Sequence, residues 1–479
     1  MDARTTRPQT RKKTARFFRI SPHALGGVKQ RGIHDIIETL YHSGECTCMA
    51  DKYEKKDNAA NLADNTKTPL ISEKVIDKAL RRIASGKFDP AADIDPDLFE
   101  ATRSALDNAA REGVGKIAYG HPDHDFYEQL KHNNAVFAAF KTHRQQNELA
   151  ALLVDENGTP KSFAQFKKDA ENIIGDYNIN WLQTEYNTAL IRARNAVQWR
   201  QFGREKETYP NLEWLPSMAA VPREAHKIFY HRVWAQDDPF WNSHRPGEVW
   251  GCKCGLRSTS RPVTDGNPKS KETVKASPGL DNNPAVDAKL FADSHPYIAL
   301  ANRNAKKAVK KFIAENVRQP EEYKAKKYKS GGELQTPQHG KQNKIEEKKN
   351  HKAYELLAKQ YGAKYRILPV DNTSGDKNPD AFNLRTKRFS DMKAPVSDNG
   401  KNAIQASIRT AERQEVEEVF IYLEKDYPML EIWAGLKAAI QPNRCEHIRE
   451  IIIRLNSGEI KHYDTEKLRG VFFKRTRRK

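Results

Sequence analysis

Apolar residues recur at three- and four-residue spacing through most of residues 71–205, the pattern of amphipathic helices. "SEKVIDKALRRIASG" opens on serine and closes on glycine, as a capped helix should. The helical pattern continues through "PDLFEATRSALDNAAREGVGKIAYG", "DFYEQLKHNNAVFAAFKTHRQQNELAALLVD", "SFAQFKKDAENIIGDY" and "WLQTEYNTALIRARNAVQWRQFG". It stops over residues 209–260, where Pro210, Pro216, Pro222, Pro239 and Pro246 interrupt an aromatic-rich stretch. That stretch predicts a loop-rich module. "HPYIALANRNAKKAVKKFIAENV" is helical again and runs into lysine clusters. "SGGELQTPQHGKQNK" then reads as a flexible linker.

The period changes near His351. "HKAYELLAKQYG" predicts a helix, and "AKYRILPV", "DAFNLRT" and "KRFSDMKAP" predict three short strands. "GKNAIQASIRTAERQ" is a helix, and "VEEVFIYLE" is a strand rich in β-branched and aromatic residues. "LKAAIQPNRCEHI" is partly helical, and "REIIIRLNSGEIKHYD" is a hairpin around Asn456, Ser457 and Gly458. The expected chain is therefore multidomain, with a mainly α-helical N-terminal part, a loop-rich aromatic and cysteine segment, and a C-terminal α/β unit of αβββαβ type. The boundaries read as an irregular basic arm at 1–70, a helical domain at 71–262, a linker at 263–350, the α/β domain at 351–470 and a basic tail at 471–479.

Charge narrows the partners. The 479 residues carry a formal net charge of +19, concentrated in "RTTRPQTRKKTARFFR", in the 305–350 lysine clusters and in "FFKRTRRK". Such arms favour polyanions, nucleic acid above all. No apolar run approaches the roughly 18 residues of a membrane span. No apolar core follows the basic N-terminus, as a secretory signal would require. With five cysteines, the chain is expected in a reducing compartment.

Two clusters carry candidate chemistry. Cys252 and Cys254 stand one residue apart, and His226, His231 and His244 lie upstream. Two soft sulfurs on a tight turn plus imidazole nitrogens can make a tetrahedral zinc set, with Cys252, Cys254, His226 and His244 as the candidates. The same letters also fit reduced thiols packed among aromatics, and both readings stay open. Cys46 and Cys48, with His42 nearby, repeat the spacing.

The second cluster is in "NPDAFNLRTKRFSDMKAP". Period-two alternation puts Asp391 and Lys393 on one face of a strand, and the neighbouring strand can bring Asp380 alongside. Two carboxylates so placed can hold Mg²⁺ or Mn²⁺ against a phosphate. The lysine can orient water or stabilise charge developing on phosphorus. Glu355 is a candidate third carboxylate, and Gln414 a hydrogen-bonding partner for water or substrate. A metal-free alternative would use His447, His462 and Arg409 for acid–base work.

The order of a long Tyr-containing helix, Pro222-Arg223 with His226, "DDPFW" at 237–241, and Trp250-Gly251-Cys252 with Cys254 resembles the Mu F-like minor head proteins of tailed phages, the phage head morphogenesis family. Tyr230 stands where that family carries a glycine. The resemblance covers roughly residues 130–260 and implies a non-enzymatic role in head assembly, portal and capsid partners, and a place in the virion head after assembly in the host cytoplasm.

Pro379-Asp380 followed by Asp391-x-Lys393 resembles the PD-(D/E)xK nuclease core. From His351 to about Tyr463 the chain resembles the C-terminal tRNase domain of contact-dependent growth inhibition toxins of CdiA type. Leu357, Ala358, Gly362, Lys377, Pro379, Asp380, Asp391, Lys393, Ala411 and Gln414 fall on that pattern, with Asp391 where a glutamate is usual. This implies cleavage of RNA, tRNA in particular, and an immunity-protein partner. A purely structural protein with an inactive nuclease fold, and a DNA-processing nuclease acting in packaging, are the alternative functions.

Overall fold

The computed structural model describes residues 69–220, 222–266, 275–339, 344–370 and 377–473. Expectations for the arm, for His42, Cys46 and Cys48, and for the tail beyond Phe473 fall outside the described residues. The chain divides into two units, one running to Ile117 and from Asp125 to Arg318, the other comprising Ala118–His124 and the chain from Gln319 onward.

The first unit is built on helices α1 (Glu73–Ala84), α2 (Pro96–Val114), α3 (His124–Ala151) and α4 (Trp181–Glu205), with α5 (Arg303–Asn316) closing it. Local chemistry sets their starts. Asp95 accepts from the Asp97 and Leu98 amides ahead of Pro96, and Asn302 accepts from the Ala305 amide. One π-helical turn, Asp176–Asn180, precedes α4 and buries Tyr177. Phe99, Leu106, Phe137, Tyr177, Trp181 and Phe291 share one core. Inside it Lys141 Nζ meets Glu185 Oε2 at 2.6 Å, both side chains fully buried.

Arg192, on α4, holds the loops to the helices. Its guanidinium donates to the carbonyls of Leu290 (2.8 Å), Gly247 (2.7 Å), Leu280 (3.0 Å) and Asn282 (3.1 Å), and to Asn282 Oδ1 (2.6 Å). Burial pulls its pKa down to about 9.

The aromatic stretch, expected as loops, contains a three-stranded antiparallel sheet in the order β2 (Val233–Ala235), β1 (Asn211–Leu215), β3 (Gly255–Thr259). Strands of three to five residues flanked by prolines leave too little alternation to read. Trp214, Phe229, Trp234, Trp241, Cys252 and Cys254 form the core of this module.

The second unit is an eight-stranded mixed sheet in the order β11-β10-β9-β8-β7-β6-β5-β4. Its elements are β4 (Tyr323–Lys327), β5 (Glu333–Pro337), α6 (Lys344–Tyr361), β6 (Lys364–Ile367), β7 (Ala381–Asn383), β8 (Arg388–Lys393), α7 (Gly400–Glu412), β9 (Glu418–Tyr422), α8 (Met429–Ala439), β10 (Glu450–Arg454), β11 (Ile460–Asp464) and α9 (Thr465–Phe473). The strands β8, β9 and β10 run parallel, with α7 and α8 as crossovers. One apolar layer joins α7 and α8 to Val419, Ile421, Ile451 and Ile453. The other joins Tyr354 and Leu357 of α6 to Tyr365, Met392 and Phe420.

The lysine-rich segment taken as a linker supplies the hairpin β4–β5, and β5 pairs in parallel with β6. The lysines mark β4 as the sheet edge, where exposed cations discourage further strand pairing. The basic tail, set from 471, yields its first residues to α9, which runs to Phe473. Among the described residues no helix is long and apolar enough to cross a membrane.

Candidate functional site

β7 and β8 pair antiparallel with Ala381 opposite Ser390, so one further step sets Asp380 opposite Asp391. Asp380 lies at the mouth of β7, where its carbonyl accepts from the Leu368 amide at 3.0 Å. Its carboxylate accepts from Asn350 Nδ2 at 2.7 Å and from the Met392 amide at 2.8 Å. Asp391 is 2% exposed. Lys393 Nζ lies 2.6 Å from Asp391 Oδ2, an ion pair at the edge of the buried acid. The expected trio of Asp380, Asp391 and Lys393 is therefore assembled on adjacent strands.

Electrostatics mark Asp391 as the stressed member. Burial, then the adjoining Asp380 carboxylate, pushes Asp391 up to about 8, against the pull of Lys393. Two carboxylates side by side in a desolvated place repel unless a proton or a cation joins them.

This strain predicts a pH effect. The folded pKa lies above the unfolded value of about 3.9, so the carboxyl stabilises the fold fully below that value. The contribution is lost as pH rises through about 8. In EDTA, Asp391→Asn is expected to melt higher than wild type at pH 8.5, with the difference shrinking as pH falls towards 4. A Tm difference that stays constant across that range would contradict this.

The remaining site candidates distribute unevenly. Gln414 Oε1 accepts from the Asn378 amide at 3.2 Å, bracing the approach to Asp380. Glu355 turns to the β4–β5 hairpin, accepting from Lys326 Nζ at 2.7 Å and Tyr328 Oη at 2.9 Å, with His351 Nδ1 at 3.6 Å. Its carboxylate is thus engaged by the hairpin and by its own helix. His447 pairs with Glu412 at 2.8 Å, and its pKa is raised by that carboxylate. His462 lies 3.4 Å from Glu450. These two histidines thus serve separate ion pairs.

Sequence reasoning missed the supporting layer. Asn350 and Tyr354, one turn apart on α6, reach Asp380 and Ser390, the latter at 3.0 Å. Glu418 on β9 is fully buried and accepts from Tyr365 Oη at 2.7 Å and Asn383 Nδ2 at 2.9 Å. An acid heading an otherwise apolar strand was the available signal for Glu418.

The cysteine cluster is in the first unit. His226 comes from the short helical turn Glu224–Lys227, and the cysteines follow the turn at Gly251, whose φ is 75°. Cys252 Sγ and Cys254 Sγ lie 3.6 and 3.7 Å from His226 Nδ1. His244, the expected fourth member, stacks on Phe240 with ring centroids 4.7 Å apart and takes Ser243 Oγ at 2.8 Å. Only His226, Cys252 and Cys254 gather among the described residues, their ligand atoms all within 4.8 Å of one another. The hydrogen bond with Cys254, then burial, pushes Cys252 up to about 12, while Cys252 pulls Cys254 down. His231, whose Nδ1 is 3.4 Å from Glu213, stands outside the set. It has φ 63°, so the left-handed position that a glycine would suit is His231, counted from His226, and not Tyr230.

No protein-family model matches this sequence. Over 79 residues the chain is 30% identical to the putative capsid assembly protein F of Escherichia phage Mu, a match covering 16% of this chain and 18% of that protein. Among solved structures, a CdiA-CT/CdiI toxin and immunity complex from Burkholderia pseudomallei aligns over 98% of its chain and 27% of this one, at 17% identity and a TM-score of 0.21. The chain is thus similar, over under one fifth of that relative's length, to a phage capsid assembly protein.

Proposed function

We propose that this protein is a phage or prophage head protein whose second unit cleaves phosphodiester bonds in RNA, tRNA in particular, with help from a divalent cation. One observation carries the enzymatic half: two carboxylates face each other across β7 and β8, with a lysine against one of them. The similarity to a capsid assembly protein supports the head-protein half. On this reading the partners are portal and capsid proteins, nucleic acid and an immunity protein, and the protein resides in the virion head.

The residues fit a hard cation. Asp391 is buried, and the Asp380 charge beside it is the repulsion that a cation relieves. Asp380 and Asp391 would hold Mg²⁺ or Mn²⁺, which supplies charge stabilisation at the phosphate and a more acidic water. The chain's own residues do the rest. Asn350 and the Met392 amide fix the Asp380 carboxylate, so its geometry is set before substrate arrives. Lys393, about one quarter exposed, brings its ammonium to the phosphate oxygens, where negative charge grows as water adds to phosphorus. The attacking water gives a proton to solvent, the ester P–O bond breaks, and the departing oxygen takes a proton from solvent.

The test uses the full chain, because the β4–β5 hairpin is part of the sheet. Total tRNA and duplex DNA are each incubated with Mg²⁺, with Mn²⁺ and with EDTA. Cleavage of tRNA that requires the metal is expected. Cleavage confined to duplex DNA would replace the RNA reading with DNA processing. Cleavage surviving EDTA, or none from a folded chain, would overturn the proposal.

A further inference from the structure

We propose that His226 Nδ1, Cys252 Sγ and Cys254 Sγ form a zinc site that fastens the tryptophan-rich module of the first unit.

The geometry is the first ground. Zn–S bonds of about 2.3 Å and Zn–N bonds of about 2.0–2.1 Å at a tetrahedral angle place sulfur and nitrogen about 3.6 Å apart. The two observed separations are 3.6 and 3.7 Å. A neutral thiol–imidazole contact would accept many other spacings; here both sulfurs stand at the ligand distance from the same nitrogen.

Burial and topology are the second ground. His226, Cys252 and Cys254 are 1%, 7% and 4% exposed. Three soft or borderline donors converge from two turns that lie 26 and 28 residues apart, brought together by a sheet of only three short strands. So little regular structure is commonly stabilised by a metal or a disulfide. Cysteines one residue apart make a poor disulfide, which leaves the metal. Thiolate and imidazole ligands select zinc over magnesium or calcium.

The Tyr230 hydroxyl lies against Cys254, hydrogen-bonded to its sulfur and to the Ser217 backbone. Three protein ligands leave one tetrahedral position, to be filled by this oxygen or by a water held there.

The measurement is the metal content of the full-length protein, purified without added metal or chelator. About one zinc per chain is expected, falling to below about one tenth in Cys252→Ser and Cys254→Ser. Cys46→Ser/Cys48→Ser and Cys445→Ser should keep it. If the site variants fail to fold, wild-type protein stripped and reloaded with Co²⁺ should show thiolate-to-cobalt charge-transfer absorption. A folded, zinc-free wild type with no such absorption would overturn the proposal, as would zinc retained in folded Cys252→Ser/Cys254→Ser.

Discussion

Asp391→Asn and Lys393→Ala should each slow RNA cleavage by about 10²- to 10³-fold with little change in KM. Asp391 holds a buried carboxylate against Asp380, and the asparagine keeps its shape while removing the charge that would bind the proposed cation. Lys393 contributes its ammonium only where charge develops, so its loss is felt in kcat. The controls make the prediction specific. Glu355→Ala should leave the rate near wild type, because that carboxylate serves Lys326 and Tyr328. His447→Ala should do the same, since its partner is Glu412. Single-turnover rates on one tRNA would check all four. A Glu355→Ala loss equal to that of Asp391→Asn would remove the assignment of the centre to β7 and β8.

Arg192→Ala is expected to destabilise the chain by about 3 kcal/mol or more, since it leaves several buried carbonyl oxygens without their donor. Arg192→Lys should recover little of the loss. An ammonium cannot reproduce the planar fork that reaches Leu290, Gly247, Leu280 and Asn282 together. Denaturant unfolding of the three proteins measures this. A lysine variant as stable as wild type would show that charge, and not the fork geometry, is what the loops require.

The two predictions differ in how much of their basis the sequence shows. Asp391 and Lys393 were legible because strand alternation alone puts i and i+2 on one face, and the β7–β8 turn is short enough to bring Asp380 back opposite Asp391. Asn350 and Tyr354 were not legible. They come from a helix 30 to 36 residues away, and only the packing of α6 on the sheet brings them to Asp380 and Ser390. Glu355 shows the converse. It is next to Tyr354 in sequence, but one residue around a helix is about 100°. That turn carries it to the β4–β5 hairpin, which the sequence reading had taken for a linker because its strands are lysine-rich or contain glutamine and proline. Among the described residues of the first unit, helix periodicity found every long helix, while Arg192 looked like one more cation on α4. Its role depends on loops about 55 to 98 residues further on. The zinc candidates divided in the same way. The cysteines and His226 converge, whereas stacking on Phe240 holds His244 in the aromatic core.

The most direct test of the central claim is the position of Mn²⁺ in crystals of the full chain, located by its anomalous scattering. A peak is expected about 2.0–2.3 Å from carboxylate oxygens of both Asp380 and Asp391, absent in Asp391→Asn. Crystals grown in saturating Mn²⁺ with no peak between these two residues would contradict it.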